Sequence, residues 1–273
     1  MMEITLKDLE LSWSRVESVV ERFIARSVKS AGVRGVVVGL SGGVDSSTAA
    51  ALAVKALGAE RVLGLIMPDT RTTPKADVND ALELASSLGI EHYVIEIDKM
   101  CDEIATKNPL YDPDDVVAVG NVRARVRMTL LYYAANRRKL MVLGAGDRSE
   151  ILLGYYTKYG DGGVDILPLG SLFKTQVRKL AKHLGLPSKI AEKPSSPRLW
   201  PGQTAEGELG FSYEEADLVL HCLVDRRMKQ EKTAKATGVD LKTVREIARR
   251  IKESSHKRRL PPKPPLREIL KSK

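Results

Sequence analysis

The stretch Ser41-Gly42-Gly43-Val44-Asp45-Ser46-Ser47 follows directly on the apolar run RGVVVGL. Gly42 and Gly43 let the backbone approach a ligand closely and adopt positive φ. A strand that turns here into a helix aims free N–H groups and the positive end of a dipole at one point, which makes an anion site. Ser41, Ser46 and Ser47 add hydroxyl donors. A kinase-type phosphate loop would carry a lysine followed by Ser or Thr. Here Val44-Asp45-Ser46 takes that place, and an acid beside a phosphate makes sense when a cation lies between them. The plainer alternative is a βα turn with Asp45 or Ser46 as N-cap. The complete run, placed between a buried strand and a helix, favours a nucleotide. Downstream, Glu150 follows Asp147 by three residues, the spacing of a capping box, and Lys174 stands where a further helix begins.

These groups need a frame, and the first half of the chain supplies an alternating one. A helix is expected over roughly 7–30, with Leu9, Trp13, Val16, Val20 and Phe23 at helical spacing. Strands are expected at RGVVVGL, RVLGLIMP, HYVIEI and KLMVLGAG. Helices are expected over SSTAAALAVKAL, KADVNDALELASSLG, the region of DKMCDEIATK and about 115–137. Strands rich in Val, Leu and Ile, separated by helices, predict an α/β fold: a doubly wound parallel sheet with helices on both faces. Such sheets bind ligands at the carboxyl ends of their strands, and two of those ends, GLSGG and LGAGDRSE, are glycine-rich. After residue 150 the rhythm breaks. YYTKYGDGGVDILPLGS and EKPSSPRLWPGQTAEGELG read as ordered loops. SYEEADLVLHCLVD, TAKATG and LKTVREIARRIKES read as closing helices. One domain over 1–260 and a basic, proline-rich tail over 261–273 are expected.

The 273 residues can bury a sizeable core. No apolar stretch is long enough to span a membrane, and the amphipathic N-terminus is no signal peptide. Two cysteines, Cys101 and Cys222, are too few for a disulfide framework or a cysteine-built metal site, so a cytoplasmic location is expected. Lys plus Arg is 44 against 35 Asp plus Glu, a formal charge of +9, which points to an anionic partner. HKRRLPPKPPLREILKSK carries much of that excess and reads equally as a solvated tail.

The glycine–serine loop resembles the pyrophosphate loop of the N-type ATP pyrophosphatases. Three further blocks, NVRARVRMTLLYYAANRRK, LGAGDRSEILLGYYTKYGDGGVDILPLGSLFKTQVRKLA and PSSPRLWPGQTAEGELGFSYEEAD, are similar to the ammonia-dependent NAD synthetase family. The resemblance covers about residues 10–260. It implies amidation of deamido-NAD to NAD by ATP and ammonia, through an adenylated carboxylate, with magnesium, in a homodimer that binds no nucleic acid. It implies ATP contacts at Gly39 to Ser46, Lys174 and Ser196, and magnesium on Asp45 and Glu150. Lys174 and Asp45 would then be catalytic. Deamido-NAD contacts are implied at Arg125, Lys158, Asp165, His256 and Lys257. Asn121, Arg125, Met128 and Tyr132 share one helix face and Arg123 and Arg127 another; a solvated basic face is the alternative for these arginines.

Three features depart from the family pattern. Ala145 stands in place of a threonine, DRSE replaces an Asn-Lys-Ser-Glu run, and Ala205 stands in place of an acid. One rival reading is another ATP pyrophosphatase, adenylating a tRNA base or a purine nucleotide; the other, a helix-turn-helix nucleic-acid binder, rests on KTAKATGVDLKTVREIARRIKESSHKRR with Gly238 at the turn.

Overall fold

The computed structural model describes residues 3–264; of the tail expected over 261–273, residues 265–273 lie outside the described residues. A short 3-10 turn, Leu6–Leu9, precedes α1 (Trp13–Ala31). Strand β1 (Gly35–Gly39) leads into α2 (Val44–Leu57), and β2 (Val62–Ile66) into α3 (Lys75–Ser87). Then come β3 (Glu91–Val94), α4 (Asp98–Thr106), α5 (Val116–Arg138) and β4 (Leu140–Leu143). The second half adds α6 (Arg148–Leu153), α7 (Lys174–His183), α8 (Ser188–Ala191), α9 (Ala205–Leu209), α10 (Tyr213–Leu220), α11 (Gln230–Thr237) and α12 (Leu241–Glu253).

The sheet runs in the order β3-β2-β1-β4 and every pairing is parallel. Alternation along β1 divides the apolar residues. Val36 and Val38 join the core under α1, α2, α3 and α7, while Val37 joins the core under α4 and α5. The doubly wound expectation is met. From β1 the chain steps outward through β2 and β3, then crosses back to place β4 on the other side of β1. The carboxyl ends of β1 and β4 therefore flank the switch point where such sheets open a crevice.

A third core gathers Leu153, Phe173, Leu209, Tyr213, Leu220, Val244 and Ile247 from the second half, and Leu9 reaches into it from the N-terminus. That explains a correction. The helix expected over 7–30 is broken, because Leu9 packs in this core while Val20, Ile24 and Val28 pack under the sheet. One straight helix cannot serve both. The Asp8 carboxylate accepts from the Thr5 N–H at 2.8 Å and closes the first turn, Glu10 is extended, and α1 starts afresh. Ile24, not Phe23, is the core residue; Phe23 is exposed.

Candidate active site

The glycine turn is built by local hydrogen bonds. Gly43 is the extended N-cap of α2, and its carbonyl accepts from Ser47 Oγ at 2.7 Å and from Ser46 Oγ at 3.2 Å. The Ser46 hydroxyl also meets Ser41 Oγ at 3.0 Å and accepts from the Ser41 N–H. The expected hydroxyl donors are thus turned back onto the loop, where they hold its shape. Gly42 has φ +73°, and a β-carbon there would lie 2.2 Å from the Asp77 carbonyl oxygen. Only glycine fits both demands.

Asp45, in the first turn of α2, meets β4's exit through a lysine. Lys174 Nζ lies 2.7 Å from Asp45, 2.8 Å from Asp147 and 2.8 Å from Glu150. The lysine is fully buried, as is Asp147. Its amine sits 5.1 Å over the Tyr213 ring, a favourable place for a cation. The predicted capping box is present: Asp147 accepts from the Glu150 N–H at 2.8 Å, and Glu150 accepts from the Asp147 N–H at 3.2 Å. Asp45 and Glu150 come together as expected, and Asp147 adds a carboxylate that sequence spacing had marked only as a cap. Burial alone would lower the Lys174 pKa, but the three carboxylates outweigh it and hold it well above the ordinary value. Burial, reinforced by the Asp147 charge and opposed by Lys174, pushes Glu150 well above its ordinary range. Three carboxylates around one amine leave a formal excess of two negative charges, with carboxylate oxygens within 4.8 Å of one another. Asp45 Oδ1 is buried with no hydrogen-bond partner among the described residues. A hard cation suits such a donor set.

A cavity of ≈ 500 Å³ opens beside the cluster, lined by Ser41, Gly43, Val44 and Asp45 of the turn. That is a normal size for a small-molecule site. Leu40, Ile66, Met67 and Val78 give it an apolar wall, and Arg127, Ser196, Arg198 and Lys257 give it polar groups. The proline-rich segment expected as an ordered loop closes one side. Lys193 donates to the Gly42 carbonyl at 2.9 Å and to Asp77 at 3.0 Å, and Arg198 pairs with Asp77 at 2.9 Å. Arg123 donates to the Leu199 carbonyl at 2.8 Å.

A family model described as NAD synthase matches residues 16–261. The chain belongs to the NAD synthase family. It is 51% identical to the NH(3)-dependent NAD(+) synthetase of Staphylothermus marinus over 98% of this chain and all of that protein. Among solved structures it is similar to the NMN synthetase of Francisella tularensis, with TM-score 0.83, 36% identity, 94% of this chain and all of that one covered. It is also similar to the NH3-dependent NAD synthetase of Campylobacter jejuni in complex with nitrate ion, with TM-score 0.79, 32% identity, and 93% and 99% covered.

The other residues that the NAD synthase resemblance singled out fall in four places. Ser196 lines the cavity, its hydroxyl donating to the Gln203 carbonyl at 2.5 Å. Lys257 also lines it, its amine donating to the carbonyls of Gly154 and Tyr156 at 2.6 and 2.7 Å. Arg125, Lys158 and Asp165 lie outside the cavity lining, together along the edge between α5 and the 158–165 loop. Arg125 is exposed and donates to the Lys158 carbonyl at 3.4 Å, and Asp165 accepts from Tyr132 at 3.0 Å. His256 is exposed and does not line the cavity. Lys174 does not line it either; of its three carboxylate partners, Asp45 is the one in the lining.

The solvated face offered for Arg123 and Arg127 is corrected. Arg123 is buried against Asp69 at 2.6 Å, and Arg127 donates to the Met67 carbonyl at 2.9 Å. Burial would raise the Asp69 carboxyl, but Arg71 and Arg123 pull it down to about 2. Ala205 is buried in the C-terminal core at the start of α9, so an apolar residue suits the position. The helix-turn-helix segment is likewise engaged within the fold. Val244 and Ile247 are buried, Arg249 pairs with Glu246 at 2.6 Å, and Arg250 turns toward the cavity.

Proposed function

We propose that this chain amidates the nicotinate carboxylate of deamido-NAD to give NAD, using ATP and ammonia. The observation that carries the reading is one cavity bordered by a glycine turn at a helix start and by Asp45 of a three-carboxylate cluster. The turn and the first N–H groups of α2 would take the β- and γ-phosphates. The apolar wall of Ile66, Met67 and Val78 suits the adenine ring. Asp45 and Glu150, with Asp147 behind them, would hold Mg2+, which supplies charge neutralisation on the phosphate oxygens.

A carboxylate is a poor electrophile because its leaving group would be oxide. Its oxygen attacks the α-phosphorus, the bond to the bridging oxygen breaks, and pyrophosphate departs. Ammonia then attacks the carbonyl carbon of the mixed anhydride, loses a proton, and AMP leaves. Lys174 is no base for this reaction, since its neighbours hold it protonated across the working range. It acts as a fixed positive charge that keeps the carboxylates in place and offsets negative charge building near the turn. Arg125, Lys158, Asp165, His256 and Lys257 are proposed to contact deamido-NAD. The remainder of the work is positioning.

A homodimer is proposed, supported by the exposed apolar side chains Leu110, Val116 and Tyr133 on and just before α5. No described helix is long and apolar enough to cross a membrane, and we place the enzyme in the cytoplasm. A second reading, amidation of the mononucleotide, rests on the similarity to the Francisella tularensis protein.

The test is product formation from deamido-NAD or nicotinate mononucleotide, with ATP and Mg2+, and with ammonium or glutamine as donor. NAD from deamido-NAD and ammonium is expected, with Glu150→Ala losing at least about 10²-fold in rate. Turnover of the mononucleotide alone would transfer the assignment to the second reading. Product in neither arm would defeat both.

A further inference from the structure

We propose that Asp217 is a positioning residue for this reaction, acting through the N-termini of α6 and α7 rather than on substrate. The inference rests on the reading of the site as an NAD synthetase centre.

Helix α7 begins with Lys174, yet its own N-cap is Phe173, whose side chain offers no acceptor. The first N–H groups of a helix need partners, and here they are brought from elsewhere. The Lys174 N–H donates to Ser149 Oγ at 3.0 Å, and the Thr175 N–H donates to Asp217 Oδ2 at 2.8 Å. Ser149 in turn donates its hydroxyl to Asp217 Oδ1 at 2.5 Å. Asp217 lies on α10, 68 residues from Ser149 and 42 from Thr175. One carboxylate therefore serves two helix starts: α7, which carries Lys174, and α6, which carries Glu150 and its cap Asp147.

Asp217, Ser149 and Lys174 are all fully buried. A carboxylate in such a place is costly unless hydrogen-bonded. Its two donors, one of them an N–H in the first turn of α7, offset part of that cost. The arrangement also explains why the Lys174 amine has so little freedom. Lys174 is the first residue of α7, so any shift of that terminus moves Nζ directly. Ser149 adjoins Glu150, so the same shift changes the distance between the lysine and its partner. At such sites a displacement of about 1 Å can cost about 10²-fold in rate.

Asp217→Asn tests the inference. Its amide oxygen can still accept from Thr175, but its NH2 cannot accept from Ser149. The expected result is a fall in kcat of about 10–100-fold, with the KM for deamido-NAD held within about twofold, because no substrate contact is lost. Ser149→Ala should fall by a similar factor. The double variant should be no worse than the poorer single one, because the two act as a unit. A folded Asp217→Asn enzyme with kcat within about twofold of the parent overturns the proposal, as do losses that multiply in the double variant. Should Asp217→Asn fail to fold, Ser149→Ala alone decides by the same twofold criterion. If the parent itself makes no NAD, the reading of the site has failed. Amide hydrogen exchange then tests the positioning: Ser149→Ala should lose protection at Lys174 and Thr175, and unchanged protection at both overturns it.

Discussion

The glycine turn and the Lys174 cluster meet at Asp45 and are built by opposite means. In the turn, the hydrogen bonds of its own serines join residues at most five apart, Ser41 to Ser46 being the longest, and Lys193 reaches in to the Gly42 carbonyl from the later loop. In the cluster, Lys174 reaches 24 residues back to Glu150 and 129 back to Asp45. The turn's shape is a local property of its sequence. The cluster exists only once β1, β4 and the C-terminal core are assembled. Damage should therefore spread differently: a lesion in the cluster should couple charge, fold and activity, and a lesion in the turn should remain mostly steric.

The largest expected effect comes from Lys174→Met. It leaves three carboxylates converging on an uncharged side chain, and breaking a buried ion pair from one side costs about 3–5 kcal/mol. Adenylation, followed as pyrophosphate exchange, should fall by at least about 10²-fold. The sharper form adds Asp147→Asn. Removing one of the crowded charges should restore part of the lost Tm while leaving exchange low. If the double variant is less stable than Lys174→Met, the charge excess is not what the lysine balances.

Gly42→Ala is the matching lesion in the turn. With φ +73° and a β-carbon 2.2 Å from the Asp77 carbonyl oxygen, the loop or α3 must move. Strain of this kind costs about 1–3 kcal/mol. Since Lys193 bridges the Gly42 carbonyl and Asp77, the KM for ATP should rise more than kcat falls. A variant with parental Tm and parental KM for ATP would show that the turn has slack which the geometry denies it.

The same contrast governs what was legible beforehand. The turn could be read because a strand, two glycines and a helix start sit within ten residues, and short-range rules suffice. The parallel sheet was legible because strands rich in Val, Leu and Ile alternate with helices. Glu150 was placed by the Asp147 capping box, also a local pattern. What the sequence hid is remote pairing. Nothing around Asp147 announces that its second oxygen meets Lys174, nothing in α10 marks Asp217, and Arg123 looks like any helix arginine until Asp69 folds beneath it. The broken first helix has the same origin, since Leu9 leaves the helical pattern to fill a core made by residues beyond 150.

The last effect concerns pH and separates the two regions most cleanly, because the turn's hydroxyls do not titrate. Burial pushes the Asp217 carboxyl up to about 7, against the hydrogen bonds from Ser149 and Thr175 that favour its ionised form. In the unfolded chain it ionises near 3.8. Between about pH 4 and 7 the folded state thus holds a proton that the unfolded state has released, so this group lowers stability as pH rises through that window. Below it both states are protonated, and above it both are ionised, so the contribution levels off at each end. Asp69, held at about 2, acts with the opposite sign and at lower pH, which keeps the two apart. Asp147 and Glu150 share the sign of Asp217, so the parent's curve alone cannot isolate it. The difference in unfolding free energy between parent and Asp217→Asn can, because the asparagine carries no titration. That difference should shift against the parent as pH rises from 4 to 7, by up to about 1.4 kcal/mol per pH unit. A flat difference would mean that the two hydrogen bonds keep Asp217 ionised throughout. The carboxylate would then hold the start of α7 and the Ser149 hydroxyl of α6 at every working pH instead of sitting near the edge of losing its charge.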